Sequence, residues 1–451
     1  MKARWIDAML KRLGEKPDLT QTTVSVGEAS YPAPFETGLE YAAPARGVWN
    51  IVHTGMLVPE SHEIFICAAG CLRGVVLTAA EMGAAERFST VAIRENNVLD
   101  GDMEELMIEG VTDILNKLQR TPRAVLVYTS CIHHFMSCDV TRCYAELRRR
   151  FPNVDFTDCY MDPIMRKSGL TPDQTMRSRL YSLLKPAPVD GMSVNIIGSD
   201  LQTYPDCELV QMVQQSGRTL REITACKSYD EYQLMATSYL NIAMYPAAKA
   251  GCEALCERLA HRCLYLPFIP DYDDIDRELE LLAAALETNP PDASALRALA
   301  DESLFKARAI VGDAPVAIDY TALSHPMELA RLLINHGFNV TDLFLDSIST
   351  ADRDAFLWLK RNYPSLRLHP TIHPEMRVYP RDERNTLAIG QKAAYFCGTC
   401  RFVNIVEDGG LHGYMGIIRL AELITDAFEN PKDAKIEIQP KGLGCAGGCC
   451  L

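Results

Sequence analysis

The sequence predicts an α/β fold of three doubly wound, Rossmann-like domains, each a mainly parallel sheet flanked by helices. Three observations predict it. Short apolar runs rich in β-formers, Ile64-Phe65-Ile66 and Ala124-Val125-Leu126-Val127-Tyr128, end in turn residues and alternate with helical patterns. The same alternation restarts at Ser193-Val194-Asn195-Ile196-Ile197-Gly198 and again at Pro315-Val316-Ala317-Ile318-Asp319. A length of 451 residues exceeds what one core organises, while 48% apolar and 23% charged residues are ordinary for a packed globular chain.

In order, residues 1–46 read as an arm with a short amphipathic helix and Pro-rich coil (Tyr31-Pro32-Ala33-Pro34), lying on the body or on a partner. A first domain at 47–190 carries the Ile64 strand, a helix through Leu72–Leu77 and a strand at Ser89–Ile93. A turn at Asn97–Gly101 follows, with Asp102 capping a helix from Met103 to Leu118 whose apolar residues recur at helical spacing. The Ala124 strand, a helix from Val140 to Arg150 and a strand near Val154–Phe156 complete it. A second domain, 191–312, holds helices around Leu209, Tyr229 and Ala247–Ala260, a strand at Cys263–Pro267, and a helix near Glu278–Leu286. Asn289-Pro290-Pro291-Asp292 then links to a further helix. The third domain, 313–430, alternates helix Glu328–His336, strand Val340–Leu345, helix Arg353–Asn362 and strand Leu366–His369. It ends with a helix near Ala388, strand Phe402–Val406 and helix Tyr414–Phe428, before a Cys-rich tail at 431–451.

A net charge of −14 without a basic stripe disfavours nucleic acid and anionic membranes. No apolar run reaches the ~18 residues that span a bilayer. The stretch Met1–Asp7 has no signal-peptide core, so a cytoplasmic location is expected. In that reducing compartment 16 cysteines point to metal binding or catalysis rather than disulfides. Cys143, Cys159, Cys207, Cys226 and Cys263 stand singly and read as small buried hydrophobes.

The paired cysteines are different. Cys67 and Cys71 follow one strand and Cys131 ends another, which places all three beyond the carboxyl ends of parallel strands, where open α/β sheets gather ligands. These are the candidate metal ligands. Cys138 lies behind Cys131. Cys252 and Cys256 share a helical face at i, i+4, where core packing competes with metal binding. Cys397-Gly398-Thr399-Cys400 has redox or metal spacing. Cys445, Cys449 and Cys450 lie in a glycine-rich tail. His133 and His134 adjoin Cys131 and can tune a cluster through hydrogen bonds. His369, His373, Arg377, Arg381 and Arg384 form a cationic stretch suited to an anionic substrate or partner, or to plain solvation.

The order of motifs is similar to the nitrogenase component 1 (MoFe-protein) superfamily, which includes protochlorophyllide and chlorophyllide reductases, a nickel-tetrapyrrole cyclase and cofactor-assembly scaffolds. Ala68-Ala69-Gly70-Cys71 resembles its glycine–cysteine turn, and Glu95–Gly101 its Glu-x-x-Val-x-x-Gly stretch. Ser130-Cys131 with Cys138-Asp139 resembles its strand-end cysteine, and Val194–Gly198 the opening of its second domain. Leu411-His412-Gly413-Tyr414-Met415-Gly416 resembles the His-Gly-Tyr-x-Gly stretch of α-type subunits. The likeness spans about residues 47–428.

The resemblance implies a reductase subunit with a metal site between its domains. It implies a 4Fe-4S or P-cluster-like centre at a subunit seam, a homodimer or an α2β2 assembly with a sister subunit, and an ATP-dependent iron protein as electron donor. No Gly-x4-Gly-Lys-Ser/Thr loop is present, so ATP chemistry falls to the partner. By resemblance His412 faces a substrate or cofactor cavity and serves as proton donor. Cys397, Cys400, Cys252 and Cys256 are the soft ligands available to a second iron–sulfur-based cofactor in that cavity.

Departures narrow the function. The extra cysteine that family α-subunits place about 25 residues before the glycine–cysteine turn is missing; Cys67 or Glu40 is its candidate replacement. The place of the cofactor-anchoring cysteine falls near Met244-Tyr245-Pro246, and that of the cofactor histidine near Val403. Classical nitrogen fixation is therefore not expected. A reductase of another substrate leads, with an assembly scaffold or a tetrapyrrole reductase subunit as alternatives.

Overall fold

The computed structural model describes residues 22–36, 38, 40–45, 50–162, 169–380 and 385–438. The expected N-terminal helix, Arg381, Arg384 and the tail cysteines lie outside them. Among the described residues, no helix is long and apolar enough to cross a membrane. The strands form three sheets flanked by helices.

The arm begins with β1 (Val24–Ser25), which is laid along the third sheet as described below. The first sheet holds β2 (Ser61–Ala68), β3 (Phe88–Ile93), β4 (Ala124–Ser130) and β5 (Asp155–Met161) in the order β3-β2-β4-β5, all parallel. Every residue of β4 is buried, which is why it reads as a continuous apolar run. Ile64, Ile66, Val125 and Val127 pack beneath the helices Met103–Lys117 and Val140–Arg150. Phe65 and Tyr128 face the other way, stacked with ring centres 3.9 Å apart. They lie under α1 (Ala69–Glu81) and, beyond the short α2 (Cys131–Phe135), under α3 (Pro172–Ser182).

The second sheet, order β7-β6-β8-β9, is also parallel: β6 (Ser193–Ile197), β7 (Thr219–Glu222), β8 (Leu240–Ala243) and β9 (Arg262–Tyr265). Helix α4 (Lys249–Leu259) connects β8 to β9, and α5 (Tyr272–Leu286) follows. The third sheet, order β1-β12-β11-β10-β13-β14, holds β10 (Pro315–Asp319), β11 (Asn339–Phe344), β12 (Arg367–His369), β13 (Leu387–Ile389) and β14 (Phe402–Val403). All its pairings are parallel except β1 with β12. Helix α6 (Gln391–Cys397) packs on one face and α7 (Gly413–Glu429) on the other.

Several local expectations need correction. Glu95–Asp100 is a helix rather than a turn, closed by Gly101 at φ +70°. Asp102 makes no side-chain cap; its carboxylate instead accepts from Asn97 Nδ2 at 3.0 Å. The segment around Ala388 is a strand, because Leu387–Ile389 is fully buried beside β10 and turns through Gly390 before α6 begins. Strands β7 and β8 have no apolar-run signature. β7 is largely polar, and β8 contains Asn241, whose Oδ1 accepts from Asn195 Nδ2 at 2.7 Å in the buried core.

Candidate metal centre and interdomain site

The carboxyl end of the first sheet gathers the three cysteines. β2 and β4 run in parallel register, Phe65 opposite Tyr128, so Cys67 lies level with the end of β4 and Cys131 opens α2 just beyond it. Cys71 sits in the first turn of α1, one turn after β2 ends. Cys67 is buried, Cys131 half-buried and Cys71 exposed, a gradient running from the sheet to the surface. The thiols feel one another: burial, aided by the nearby Cys71 and Cys131 sulfurs, pushes the Cys67 thiol up to about 12. A bound cation reverses that penalty by stabilising thiolate. Among the described residues no three Cys, His, Asp or Glu side chains converge on a single-ion site.

His133 and His134 point in opposite directions. His133 is buried, and its Nδ1 accepts from the Ser130 N–H at 3.1 Å, pinning α2 to β4. His134 is exposed.

The second concentration of chemistry lies where the three sheet units meet. Arg177 of α3 is 0% exposed. Its Nη2 donates to Asp200 Oδ2 at 2.8 Å and Glu407 Oε2 at 3.0 Å, its Nε to Asp173 Oδ1 at 3.0 Å, and its Nη1 to the Gly198 carbonyl. The Tyr245 ring lies 4.6 Å from the guanidinium carbon. One side chain thus ties the helix after β5 to the loops leaving β6, β8 and β14. Burial, with the neighbouring Asp200 adding and the Arg177 charge opposing, pushes the Glu407 carboxyl up to about 9.

Glu407 and Asp408 take left-handed backbone, φ +51° and +64°, followed by Gly409 and Gly410 at φ +61° and +73°. Asp408 accepts from Ser324 N and Oγ, at 2.6 and 2.8 Å. This turn delivers His412, which is 1% exposed, with Nε2 3.5 Å from Glu278 Oε2. Glu208 stands beside it and accepts from the Met415 N–H at 3.0 Å. Gly413 is required here: φ is +65°, and a Cβ would meet Glu208 Oε2 at 2.2 Å. Burial raises both the Glu278 and Glu208 carboxyls, while His412 pulls the other way.

A neighbouring pair titrates in a useful range. His325 is 3% exposed, its Nδ1 is 3.9 Å from Asp352 Oδ1, and burial depresses it to about 4. Burial, with Asp408 adding, pushes Asp352 up to about 7, although the Glu328 N–H opposes the shift. Folding therefore favours protonated Asp352, so this acid's contribution falls as pH rises from about 4 to about 7. The depressed His325 acts oppositely, adding stability as pH rises from about 4 to about 6.5. Asp352→Asn removes only the first effect. Its melting temperature relative to the parent should climb between about pH 4 and 7 and level off above; a constant offset in calorimetry across that range would refute the assignment.

The remaining expected ligands do not join this junction. Cys252 and Cys256 are buried in the core between α4 and α3 beside Leu180 and Tyr181. Cys252 hydrogen-bonds to Cys256, whose Sγ also reaches the Arg262 carbonyl at 3.5 Å. Cys263, expected to be buried, is exposed on β9 and hydrogen-bonds to Cys256. Cys397 ends α6 and packs with Phe344, Phe396 and Phe402, on the sheet face opposite Leu411 and Tyr414. Cys400 is exposed. The expectation that Cys397, Cys400 and His412 line one cavity is thereby corrected, because alternate residues of β10, β13 and β14 point to opposite faces. His369 is no open cationic residue either: it is buried, with Nε2 2.7 Å from Asp342 Oδ1 and Nδ1 2.9 Å from the Thr22 carbonyl. His373 caps a turn through the Glu375 N–H, and Arg377 is exposed.

Sequence reasoning missed Arg177, Asp200, Glu278, Glu208, His325 and Asp352. Only Glu407-Asp408-Gly409-Gly410 carried a signal, two acids before paired glycines, which marks a strained turn.

Three sheet units carry thiols at one sheet end and a buried polar junction between them, and their family sets the class as oxidoreductase. Residues 54–429 match the family described as nitrogenase component 1 type oxidoreductase, and the chain belongs to that family. A solved structure described as nitrogenase Cp1 at pH 6.5 is similar to it with a TM-score of 0.63 and 13% identity, covering 94% of this chain and 96% of that one. Another, nitrogenase Cp1 at pH 5, gives 0.57 and 12% over 91% and 94%. At such identities the likeness is one of fold. No curated protein sequence matches significantly.

Proposed function

We propose that the chain is a component 1-type reductase subunit. It receives electrons from an ATP-dependent iron protein at an iron–sulfur cluster held by Cys67, Cys71 and Cys131, and reduces a substrate near the three-unit junction. The observation that supports this reading is the placement of those cysteines at one sheet end with Cys71 exposed. Three thiolates leave a cluster open to a ligand from a second subunit. Large apolar residues are exposed on the elements beside them: Val76 and Leu77 on α1, Leu99 after β3, and Phe135 and Met136 at the end of α2. Such a surface favours a subunit interface. Anaerobic preparations should contain iron and acid-labile sulfide and sediment as an oligomer; a cluster-loaded monomer would contradict the seam.

The cluster, when bound, supplies single low-potential electrons; the protein must manage protons. His412, enclosed with Glu278 and Glu208, is the candidate proton donor. His412→Asn should slow iron-protein- and ATP-dependent dithionite consumption by about 10²-fold with iron content unchanged. Unaltered flux would remove His412 from the reaction.

A second, metal-based cofactor is not favoured. The expected place of the family's anchoring cysteine, near Met244-Tyr245-Pro246, holds Tyr245 stacked on Arg177, Val403 is a buried strand residue, and the paired cysteines lie in separate cores. The junction's carboxyls, phenols and imidazole suit an organic substrate bound by hydrogen bonds.

A further inference from the structure

The second unit holds a group of thiols that neither the proposed cluster nor the junction uses. Cys252 and Cys256 stand one turn apart on α4 and are buried, while Cys263 is exposed on β9, the edge strand of that sheet. The chain passes from α4 to β9 through Ala260, which takes left-handed backbone at φ +55° although it is not glycine. The His261 N–H closes the helix on the Cys256 carbonyl at 2.9 Å, and Cys256 Sγ reaches the Arg262 carbonyl at 3.5 Å. This tight turn brings the buried Cys256 sulfur up to the exposed Cys263, and the two hydrogen-bond.

A buried polar ladder ends at the same sulfur. Asn195 Nδ2 donates to Asn241 Oδ1 at 2.7 Å, which turns the Asn241 Nδ2 away from Asn195. That nitrogen lies 3.3 Å from His261 Nδ1 and 3.5 Å from the Arg262 carbonyl, and it hydrogen-bonds to Cys256. Asn241 and Cys263 are ladder partners of β8 and β9, so their side chains leave one face of the sheet, the face on which Cys256 lies. Core packing accounts for Cys252 and Cys256 as small apolar groups. It does not account for an amide aimed at a sulfur, or for an exposed thiol resting on a buried one.

Three donors meet the Cys256 sulfur: the thiols of Cys252 and Cys263 and the amide of Asn241. The Cys252 hydrogen bond lowers the Cys256 thiol, with burial opposing and Cys263 and Asn241 adding. Burial, with Cys256 adding, holds the Cys263 thiol up at about 11. The accessible sulfur therefore keeps its proton, and the hidden one is able to receive it across their hydrogen bond. We propose that Cys256 and Cys263 form a thiol–disulfide exchange site whose substrates are small disulfides. Starting with Cys256 as thiolate, Cys263 attacks one sulfur of the small disulfide and passes its proton to Cys256. A mixed disulfide forms and one small thiolate leaves. Cys256 then attacks the Cys263 sulfur and gives that proton to the second small thiolate as it departs. The small disulfide is reduced to a thiolate and a thiol, and the two cysteines are oxidised to one S–S bond by the same pair of electrons.

The test reads the linked peptides directly, in the full-length protein as purified, so it does not depend on the cluster assignment. Anaerobic incubation with oxidised glutathione, an acid quench and tryptic digestion should yield residues 250–258 joined to residues 263–277 through Cys256 and Cys263, with iron content unchanged. Cys256→Ser should stop at the mixed disulfide, holding glutathione on Cys263 about tenfold longer than the parent does. Cys263→Ser, a change at an exposed position, should give no linked peptide. The proposal is overturned if Cys263 does not react, if the parent accumulates only the Cys263 adduct, or if Cys256→Ser sheds glutathione as fast as the parent by linking Cys252 instead.

Discussion

Replacing Cys71 by alanine is expected to remove the iron–sulfur signal and most of the iron. The site is well suited to a clean result. Cys71 is exposed in the first turn of α1, and alanine there is a strong helix former, so the fold should survive. What disappears is the most exposed of the three candidate thiols. Cys131→Ala, at the start of α2, should behave alike, whereas Cys263→Ala, an equally exposed thiol on β9, should leave iron and electron paramagnetic resonance untouched. An unchanged spectrum and iron content in Cys71→Ala would end the assignment.

Arg177→Met should destabilise the protein severely, by about 3–5 kcal/mol. The guanidinium is fully buried and answers Asp173, Asp200 and the Gly198 carbonyl together. Its removal strands the Asp200 carboxylate without a counter-charge at the junction of all three units. Lysine should not substitute, because a single ammonium cannot match a forked set of acceptors. A double variant, Arg177→Met with Asp200→Asn, should regain part of the loss, since the uncompensated charge then goes too. Thermal unfolding decides the matter: a single variant melting within about 1 °C of the parent would show that the network does not hold the units together.

The contrast between these two sites explains what the sequence disclosed. The position of the cysteines was legible because parallel strands end in turns at predictable places: Cys71 and Cys131 follow such ends, while Cys67, expected beyond its strand, lies inside the last residues of β2. The alternation of strand and helix was legible for the same reason, down to its start at Ile64 and its two restarts at Ser193 and Pro315. Arg177 was not, because an arginine on a helix ordinarily faces water, and only the approach of Asp200 and Glu407 from distant loops draws it inside. Cys397 misled because Cys-x-x-Cys spacing is local, while the face of the sheet a helix covers is set by strand order. β8 stayed hidden because Asn241 breaks its apolar run, and its partner Asn195 is in another strand.

The pairing of β1 with β12 bears on how the chain is made. The Thr22 carbonyl meets His369 across a separation of 347 residues. At about 5–20 residues per second, the arm leaves the ribosome tens of seconds before its partner strand exists. Through that interval Val24 and Ser25 do not have the β12 ladder to join. The third sheet is thus edged by a strand translated before the other two sheets, so β1 stays unpaired until those sheets have been made.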